Sequence, residues 1–138
     1  MKTLVALEEL AQVAAVVVLL VLAGVPWWVY PLLLVGPDIS MVGYLAGPRA
    51  GAFSYNLFHH KGVALALILA SGLLAAGAST DFAMGPLLVA GLVLYGHSSL
   101  DRLLGYGLKY SDSFNRTHLG WIGKGAKAAS GASGDRPA

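Results

Sequence analysis

Four stretches of this chain are long and apolar enough to cross a lipid bilayer as helices. A hydrocarbon core of about 30 Å needs roughly 20 helical residues, and the sequence supplies them over about residues 4–25, 26–46, 52–76 and 82–104. The composition agrees, because 57% of the residues are hydrophobic and 12% are charged, whereas about 25% are charged in a soluble domain. The sequence therefore predicts an all-α fold, an integral membrane four-helix bundle within one domain over residues 1–123.

The second predicted span is interrupted by Gly36, Pro37 and Asp38. Because Pro37 has no amide hydrogen and its ring clashes with the preceding turn, we expect a kinked second helix with a freed backbone carbonyl. After Gly105 aromatic residues are mixed with polar ones, which predicts an interfacial segment, a short helix or ordered loop, over residues 105–123. Gly, Ala, Ser and Lys dominate residues 124–138, and this composition predicts a disordered tail.

Basic residues flank the predicted spans on one side of the membrane only. They occur at the N-terminus, between spans two and three, and after span four: Lys2, Arg49, Arg102, Lys109, Arg116, Lys124 and Lys127. The positive-inside rule then predicts that both termini are cytoplasmic. Lys109, Arg116 and Lys124 are most simply explained as topology determinants at an anionic lipid surface. The expected partner is therefore the lipid bilayer, and no nucleic-acid partner is expected.

Polar side chains gather at the cytoplasmic end of every predicted span. Measured at 1.5 Å per residue, one layer contains Glu8, Glu9, Asp38, Asn56, His59, His60, His97 and Asp101. Asn56 is an i, i+3 and i, i+4 neighbour of the two following histidines, and His97 is an i, i+4 neighbour of Asp101, so each set shares a helix face. Ionisable groups within a membrane are costly, which makes this layer a candidate functional site.

The side chains of this layer have the chemistry of a metal centre. Imidazole nitrogens and carboxylate oxygens suit a divalent ion such as zinc, manganese or iron, whereas the absence of cysteine excludes thiolate sites. The candidate metal ligands are His59, His97, Asp101, Asp38 and Glu8, of which the first four are also candidate catalytic residues. The candidate substrate-binding residues are Arg49, Asn56, Arg102 and Lys109.

Structural roles compete with each of these assignments. His97 and Asp101 can form an ion pair that ties helices together. Asp38 can cap the helical segment that follows Pro37. Glu8 and Glu9 can simply complement the helix dipole.

Several strings of the sequence resemble a family of small bacterial four-helix membrane proteins, domain of unknown function 4260. They are Pro37 to Leu45 (PDISMVGYL), Gly47 to Ala52 (GPRAGA), Tyr55 to His59 (YNLFH) and His97 to Tyr110 (HSSLDRLLGYGLKY). The resemblance covers roughly residues 4–123 and implies the fold and a bacterial inner-membrane location, without an activity. The family pattern has a small or hydroxyl residue after His59, whereas this sequence has His60, so the resemblance favours His59 as the site residue.

Three classes of function fit these observations. A metal-dependent membrane hydrolase would act on a lipid-like substrate at the cytoplasmic leaflet, although no short motif such as H-E-x-x-H is present. A small transporter or proton- or ion-conducting homo-oligomer would use the kinked span, but the apolar outer halves of the other spans provide no polar path. A structural or assembly subunit of a membrane complex would use the polar layer to hold helices together.

Overall fold

The computed structural model describes residues 2–77 and 85–123 and is mostly helical. The helices are α1 (Lys2–Leu22), α2 (Val29–Val35), a 3₁₀ helix (Pro37–Ala46), α3 (Pro48–His59), α4 (Lys61–Gly77) and α5 (Pro86–Leu103). Three short strands follow, β1 (Lys109–Tyr110), β2 (Ser113–Thr117) and β3 (Gly120–Trp121). The all-α class predicted from the sequence therefore holds for the main body of the fold. The predicted tail, residues 124–138, and the first residues of the predicted fourth span lie outside the described residues.

One helix, α1, is by itself long and apolar enough to cross a membrane. Two bent pairs meet the same criterion when each pair is counted as one span: α2 with the 3₁₀ helix, bent by 42°, and α3 with α4, bent by 46°. The described residues thus contain between one and three candidate spans by length and composition. Helix α5 is less apolar than these because its second half carries residues such as His97, Asp101 and Arg102.

The bend within the second predicted span confirms the kink expected at Pro37. Helix α2 ends at Val35, and Pro37 is the first residue of the 3₁₀ helix. The chain therefore changes direction at the residue that lacks an amide hydrogen.

The bend within the third predicted span was not expected, because the sequence there reads as one continuous helix. His60 has extended backbone angles, φ −89° and ψ 112°, and separates α3 from α4. Its Nδ1 accepts the amide hydrogen of Gly62 at 3.0 Å, and its carbonyl accepts the amide hydrogens of Val63 and Ala64. His60 therefore caps the N-terminus of α4, and its exposed side chain points away from the interior.

Helix α5 lies at the centre of the fold and packs against the other four α-helices. Two glycines allow this close packing. A Cβ at Gly91 would lie 2.7 Å from Ile68 Cγ1 in α4, and one at Gly96 would lie 2.9 Å from Val16 Cγ1 in α1. The apolar core around α5 consists of Val16, Leu20, Val29, Leu33, Leu88, Leu92 and Val93. Because α5 is enclosed by helices, its polar residues face protein rather than the surroundings.

Large apolar side chains cover the outside of the molecule. Exposed examples on α1 and α4 are Leu4, Leu7, Leu10, Leu22, Leu65, Leu69, Leu73 and Leu74. The interior, in contrast, contains the buried polar residues Glu9, Ser40, His59, His97, Ser98, Ser99, Lys109 and Thr117. An exterior this apolar, around an interior that also contains polar residues, is unusual for a soluble protein and is favoured by a lipid surrounding.

The segment after α5, residues 105–123, was predicted to be a short helix or an ordered loop, and the structure differs from both. It is an antiparallel three-stranded meander in the order β1-β2-β3. Burial alternates along β2, with Ser113, Asn115 and Thr117 less exposed than the residues between them. This period of two is the signature of a strand, and Gly120, at φ 124°, completes the turn into β3.

Candidate metal centre

Four predicted site residues meet in the interior. One ligand atom from each of Asp38, His59, His97 and Asp101 lies within 4.8 Å of all the others. The 3₁₀ helix supplies Asp38, the last turn of α3 supplies His59, and one face of α5 supplies the other two. The N-cap of the 3₁₀ helix is Gly36 rather than Asp38. The carboxylate of Asp38 lies next to the two histidines.

Both imidazoles are held in the same tautomer by backbone carbonyls. His59 Nδ1 is 2.8 Å from the carbonyl oxygen of Tyr55, and His97 Nδ1 is 3.0 Å from the carbonyl oxygen of Leu33. Because a carbonyl only accepts hydrogen bonds, each Nδ1 carries the proton and donates. In the neutral form of each imidazole, Nε2 then presents the lone pair that a metal-binding histidine uses, while the hydrogen bond of Nδ1 orients the ring.

The carbonyl that orients His97 is available because of Pro37. In a regular α-helix the carbonyl of Leu33 would accept the amide hydrogen of the residue four positions later. That residue is Pro37, which has no amide hydrogen. The carbonyl of Leu33 is therefore free of a helical partner, as predicted, and it accepts a hydrogen bond from His97 Nδ1. One residue thus both bends the chain and orients a histidine of the cluster.

The ligand atoms are spaced as metal ligands are. The two Nε2 atoms are 3.1 Å apart. Asp38 Oδ1 lies 3.3 Å from His59 Nε2 and 3.5 Å from His97 Nε2, and Asp101 Oδ2 lies 3.5 Å from His59 Nε2. Four tetrahedral ligands at about 2.0–2.1 Å from an ion are about 3.3–3.4 Å from each other. These four distances are close to that spacing, whereas the whole set extends to 4.8 Å, so the four side chains could hold a small divalent ion after a small inward shift.

A simple ion pair does not explain this arrangement equally well. His97 Nε2 is 3.8 Å from Asp101 Oδ1, which is longer than a hydrogen bond. Two imidazole lone pairs and two carboxylates that face one another repel unless positive charge lies among them. A divalent cation, if bound among them, would satisfy all four groups at once.

Tyr55 is a member of this site that the sequence reasoning missed. Its hydroxyl donates a hydrogen bond to Asp101 Oδ2, and its ring stacks on the imidazole of His59 with centroids 3.7 Å apart and planes 11° apart. Tyr55 and His59 are i, i+4 neighbours, so the signal in the sequence was their shared helix face. Tyr55 thereby holds one carboxylate and one imidazole of the cluster in position.

Glu8 is not brought to the cluster. Its side chain is exposed and lies 3.4 Å from the amide nitrogen of Gln12. The buried carboxylate at this end of α1 is that of Glu9, which pairs with Lys61 at 2.5 Å. Gln12 Oε1 also accepts hydrogen bonds from Lys61, Tyr95 and Ser99. These residues form a separate polar network that ties α1 to α4 and α5.

A cavity of about 400 Å³ opens beside the cluster and has Asp38, Tyr55, Asp101 and Lys109 in its wall. The rest of its wall is apolar or aromatic and includes Leu34, Met41, Leu100, Leu104, Tyr106 and Phe114. Lys109 is 5% exposed, and its Nζ lies 4.3 Å from the centre of the Phe114 ring and 5.1 Å from that of Tyr55. Burial lowers the pKa of the Lys109 ammonium, and the nearby carboxylates of Asp101 and Asp38 oppose this shift. Of the predicted substrate-binding residues, Lys109 is the one whose side chain lines this cavity.

The two predicted arginines lie elsewhere. Arg49 is exposed in the first turn of α3, and the lining of the cavity includes neither Arg49 nor Arg102. Arg102 is close enough to His118 to lower its pKa, although burial of His118 is the larger cause.

Asn56 binds protein backbone rather than the cavity. Its Nδ2 donates to the carbonyl of Lys109 at 2.8 Å, and its Oδ1 accepts the amide hydrogen of Lys109 at 2.7 Å. Asn56 thus pairs with β1 as a neighbouring strand would. It docks the meander on α3 and places Lys109 in the wall of the cavity.

The substitution Asn56→Asp is expected to loosen the meander. An aspartate cannot donate to the Lys109 carbonyl and places a carboxylate oxygen against it, which should destabilise docking by about 1–3 kcal/mol. Hydrogen–deuterium exchange of the β1–β3 amides should accelerate accordingly. The matched control is Asn115→Asp, which makes the same change within β2. Unchanged exchange in Asn56→Asp would mean that other contacts dock the meander.

Comparison with known proteins gives one match. The model of a family described as Domain of unknown function (DUF4260) matches residues 2–122, which include the whole cluster, α1 and the meander as far as Trp121. No curated protein and no solved structure matches the chain. The match confirms the resemblance seen in the sequence.

Proposed function

Because the chain belongs to the family of domain of unknown function DUF4260, its activity must be inferred from its site, and we propose that it is a metal-dependent membrane hydrolase. The observation that carries this proposal is the convergence of two oriented imidazoles and two carboxylates within 4.8 Å, next to a cavity of about 400 Å³. Buried metal-ligating groups beside a cavity are the usual composition of a metalloenzyme site.

The donor set of two nitrogens and two oxygens suits zinc, manganese or iron. His59, His97, Asp38 and Asp101 are the proposed ligands and catalytic residues. When bound, such an ion would polarise the scissile group and lower the pKa of a water molecule. Asp38 is the most accessible of the four, with 37% of its side chain exposed, and it borders the cavity through which a substrate would approach.

We further propose that the protein is a four-helix bundle in the bacterial inner membrane, with both termini cytoplasmic. The three candidate spans would surround α5 on the lipid side, as the apolar outer surface of α1 and α4 supports. The basic residues flank the cytoplasmic side in this orientation. The cluster would then lie in the cytoplasmic half of the bilayer.

This placement favours a lipid-like substrate. The cavity wall combines the metal-ligating carboxylates with apolar side chains such as Leu34, Met41 and Leu104. Leu34 and Leu104 are more than half exposed on the outer surface. An amphiphile in the cytoplasmic leaflet can therefore present its head group to the cluster while its chain stays in lipid.

The proposal predicts metal-dependent hydrolysis by the full-length protein in detergent micelles. Long-chain carboxyl esters, amides and phosphate esters would be supplied with and without zinc, manganese or iron(II). We expect turnover of at least one class that is removed by a chelator, restored by the ion and lost in Asp101→Asn. The matched control Asp112→Asn changes an exposed carboxylate in a surface ion pair and should retain activity.

The absence of turnover in every substrate class by folded, metal-loaded protein would contradict the hydrolase proposal. It would favour the two other functions that the sequence allows, a transporter or an assembly subunit.

A further inference from the structure

The charges around the cavity favour binding of a divalent cation first and of an anion second. The charged side chains in its wall are Asp38, Asp101 and Lys109. The wall therefore carries an excess negative charge, which favours a divalent cation. Once such a cation is bound, the excess becomes positive, and an enclosed positive charge favours an anion.

Lys109 is placed to contact that anion. Its Nζ lies within 4.0 Å of no carboxylate in the described residues, 2–77 and 85–123. The rings of Phe114, Tyr55 and Tyr106 surround it at 4.3, 5.1 and 5.9 Å. These rings stabilise the ammonium without using its hydrogen-bond donors. Its three donors make no hydrogen bond to another side chain or carbonyl within the described residues, and Lys109 lines the cavity.

The backbone of Lys109 is fixed independently of its side chain. Asn56 forms two hydrogen bonds to it, and β1 pairs Lys109 with Thr117 in β2. The ammonium and the two carboxylates of the cluster thus lie in the wall of the same cavity. A ligand in this cavity would be able to contact Lys109 and a metal held by the cluster together.

We propose that the substrate is an amphiphilic phosphate ester and that Lys109 binds its phosphate. This inference rests on the proposed metal-dependent hydrolysis and names the class of substrate. A carboxyl ester is uncharged before it reacts and offers Lys109 no anion to bind in the ground state, whereas a phosphate ester already carries its negative charge on the reacting group. Cations arranged around a phosphoryl group are the usual means of stabilising its transfer.

The reaction balances with water as the only co-reactant. The oxygen of water forms a bond to phosphorus, and the bond between phosphorus and the alcohol oxygen breaks. One proton of the water is transferred to the departing alcohol oxygen, and the other stays on the phosphate. A phosphate monoester dianion and water thus yield an alcohol and hydrogen phosphate, with no change of oxidation state.

The test measures binding of inorganic phosphate, the product, to the full-length protein in detergent, by titration calorimetry with and without zinc. We expect zinc-dependent binding to the wild type that is weakened about tenfold or more by Lys109→Met, because the charge-assisted hydrogen bonds are lost. Methionine keeps the apolar stem among the three rings. Lys109→Gln serves as a second neutral variant, and Lys2→Met removes an exposed lysine as the matched control. Zinc content is measured in every sample.

The outcomes separate the two proposals. If the protein binds zinc and the wild type does not bind phosphate, or Lys109→Met binds it as well as the wild type, the phosphate proposal is wrong while the metal site stands. Hydrolysis of a long-chain carboxyl ester but not of a phosphate ester with the same chain would also overturn it. If no metal binds at all, the proposed function itself fails.

Discussion

Substitution of His97 by alanine is expected to weaken metal binding more than about 100-fold. Loss of a group that only hydrogen-bonds to a metal ligand already weakens metal binding by about 10–100-fold, and this substitution removes a proposed ligand itself. His97 supplies one of four ligand atoms, and its Nε2 lies 3.1 Å from that of His59. The variant should therefore retain no zinc after dialysis against a chelator of moderate affinity. Competition titration with a chromophoric chelator measures the change.

The matched control for this prediction is His118→Ala. His118 is exposed in the turn between β2 and β3, and its Nδ1 accepts the amide hydrogen of Leu108. Its loss can loosen the meander but removes no ligand atom of the cluster. Equal metal affinity in His97→Ala and the wild type would show that any metal binds elsewhere.

Substitution of Pro37 by alanine is expected to weaken metal binding by about 10–100-fold, although Pro37 contacts no metal. An alanine restores the amide hydrogen that a continuous helix would donate to the Leu33 carbonyl. That hydrogen competes with His97 Nδ1 for the same oxygen, so the imidazole loses its orientation. The 42° bend, which places Asp38 against both histidines, should also relax.

Pro31→Ala is the matched control for Pro37→Ala. Pro31 is exposed in the first turn of α2, where an amide has no partner within the helix. Metal affinity should therefore be close to that of the wild type in this variant. A Pro37→Ala variant that binds metal as tightly as the wild type would disprove the link between the kink and the cluster.

The parts of the site that the sequence predicts are those set by local geometry. The i, i+4 spacing of His97 and Asp101 puts both side chains on one face wherever α5 packs. The kink depends only on the chemistry of Pro37. Asp38 and His59 could be placed near them because the depth of a residue along a span follows from the rise per residue.

The features that the sequence did not predict depend on tertiary contacts. The choice between Glu8 and Glu9 is set by the rotation of α1, which its apolar residues on all sides do not reveal. Asn56 could not be distinguished from a substrate ligand without the position of Lys109, which is distant in the sequence. The break at His60 interrupts a stretch that reads as one helix because the His60 side chain caps the helix that follows. The meander, predicted as a short helix or ordered loop, depends on contacts between residues distant in the sequence, such as Asn56 and Lys109.

The most direct test of the metal centre is the metal content of the purified full-length protein, measured by elemental mass spectrometry. The wild type would be compared with the double variant His97→Ala, Asp101→Ala, with circular dichroism to confirm that both are helical. We predict close to one zinc, manganese or iron ion per chain in the wild type and almost none in the variant. A well-folded wild type that contains no metal, and takes none up when metal is supplied, would contradict the proposed metal centre.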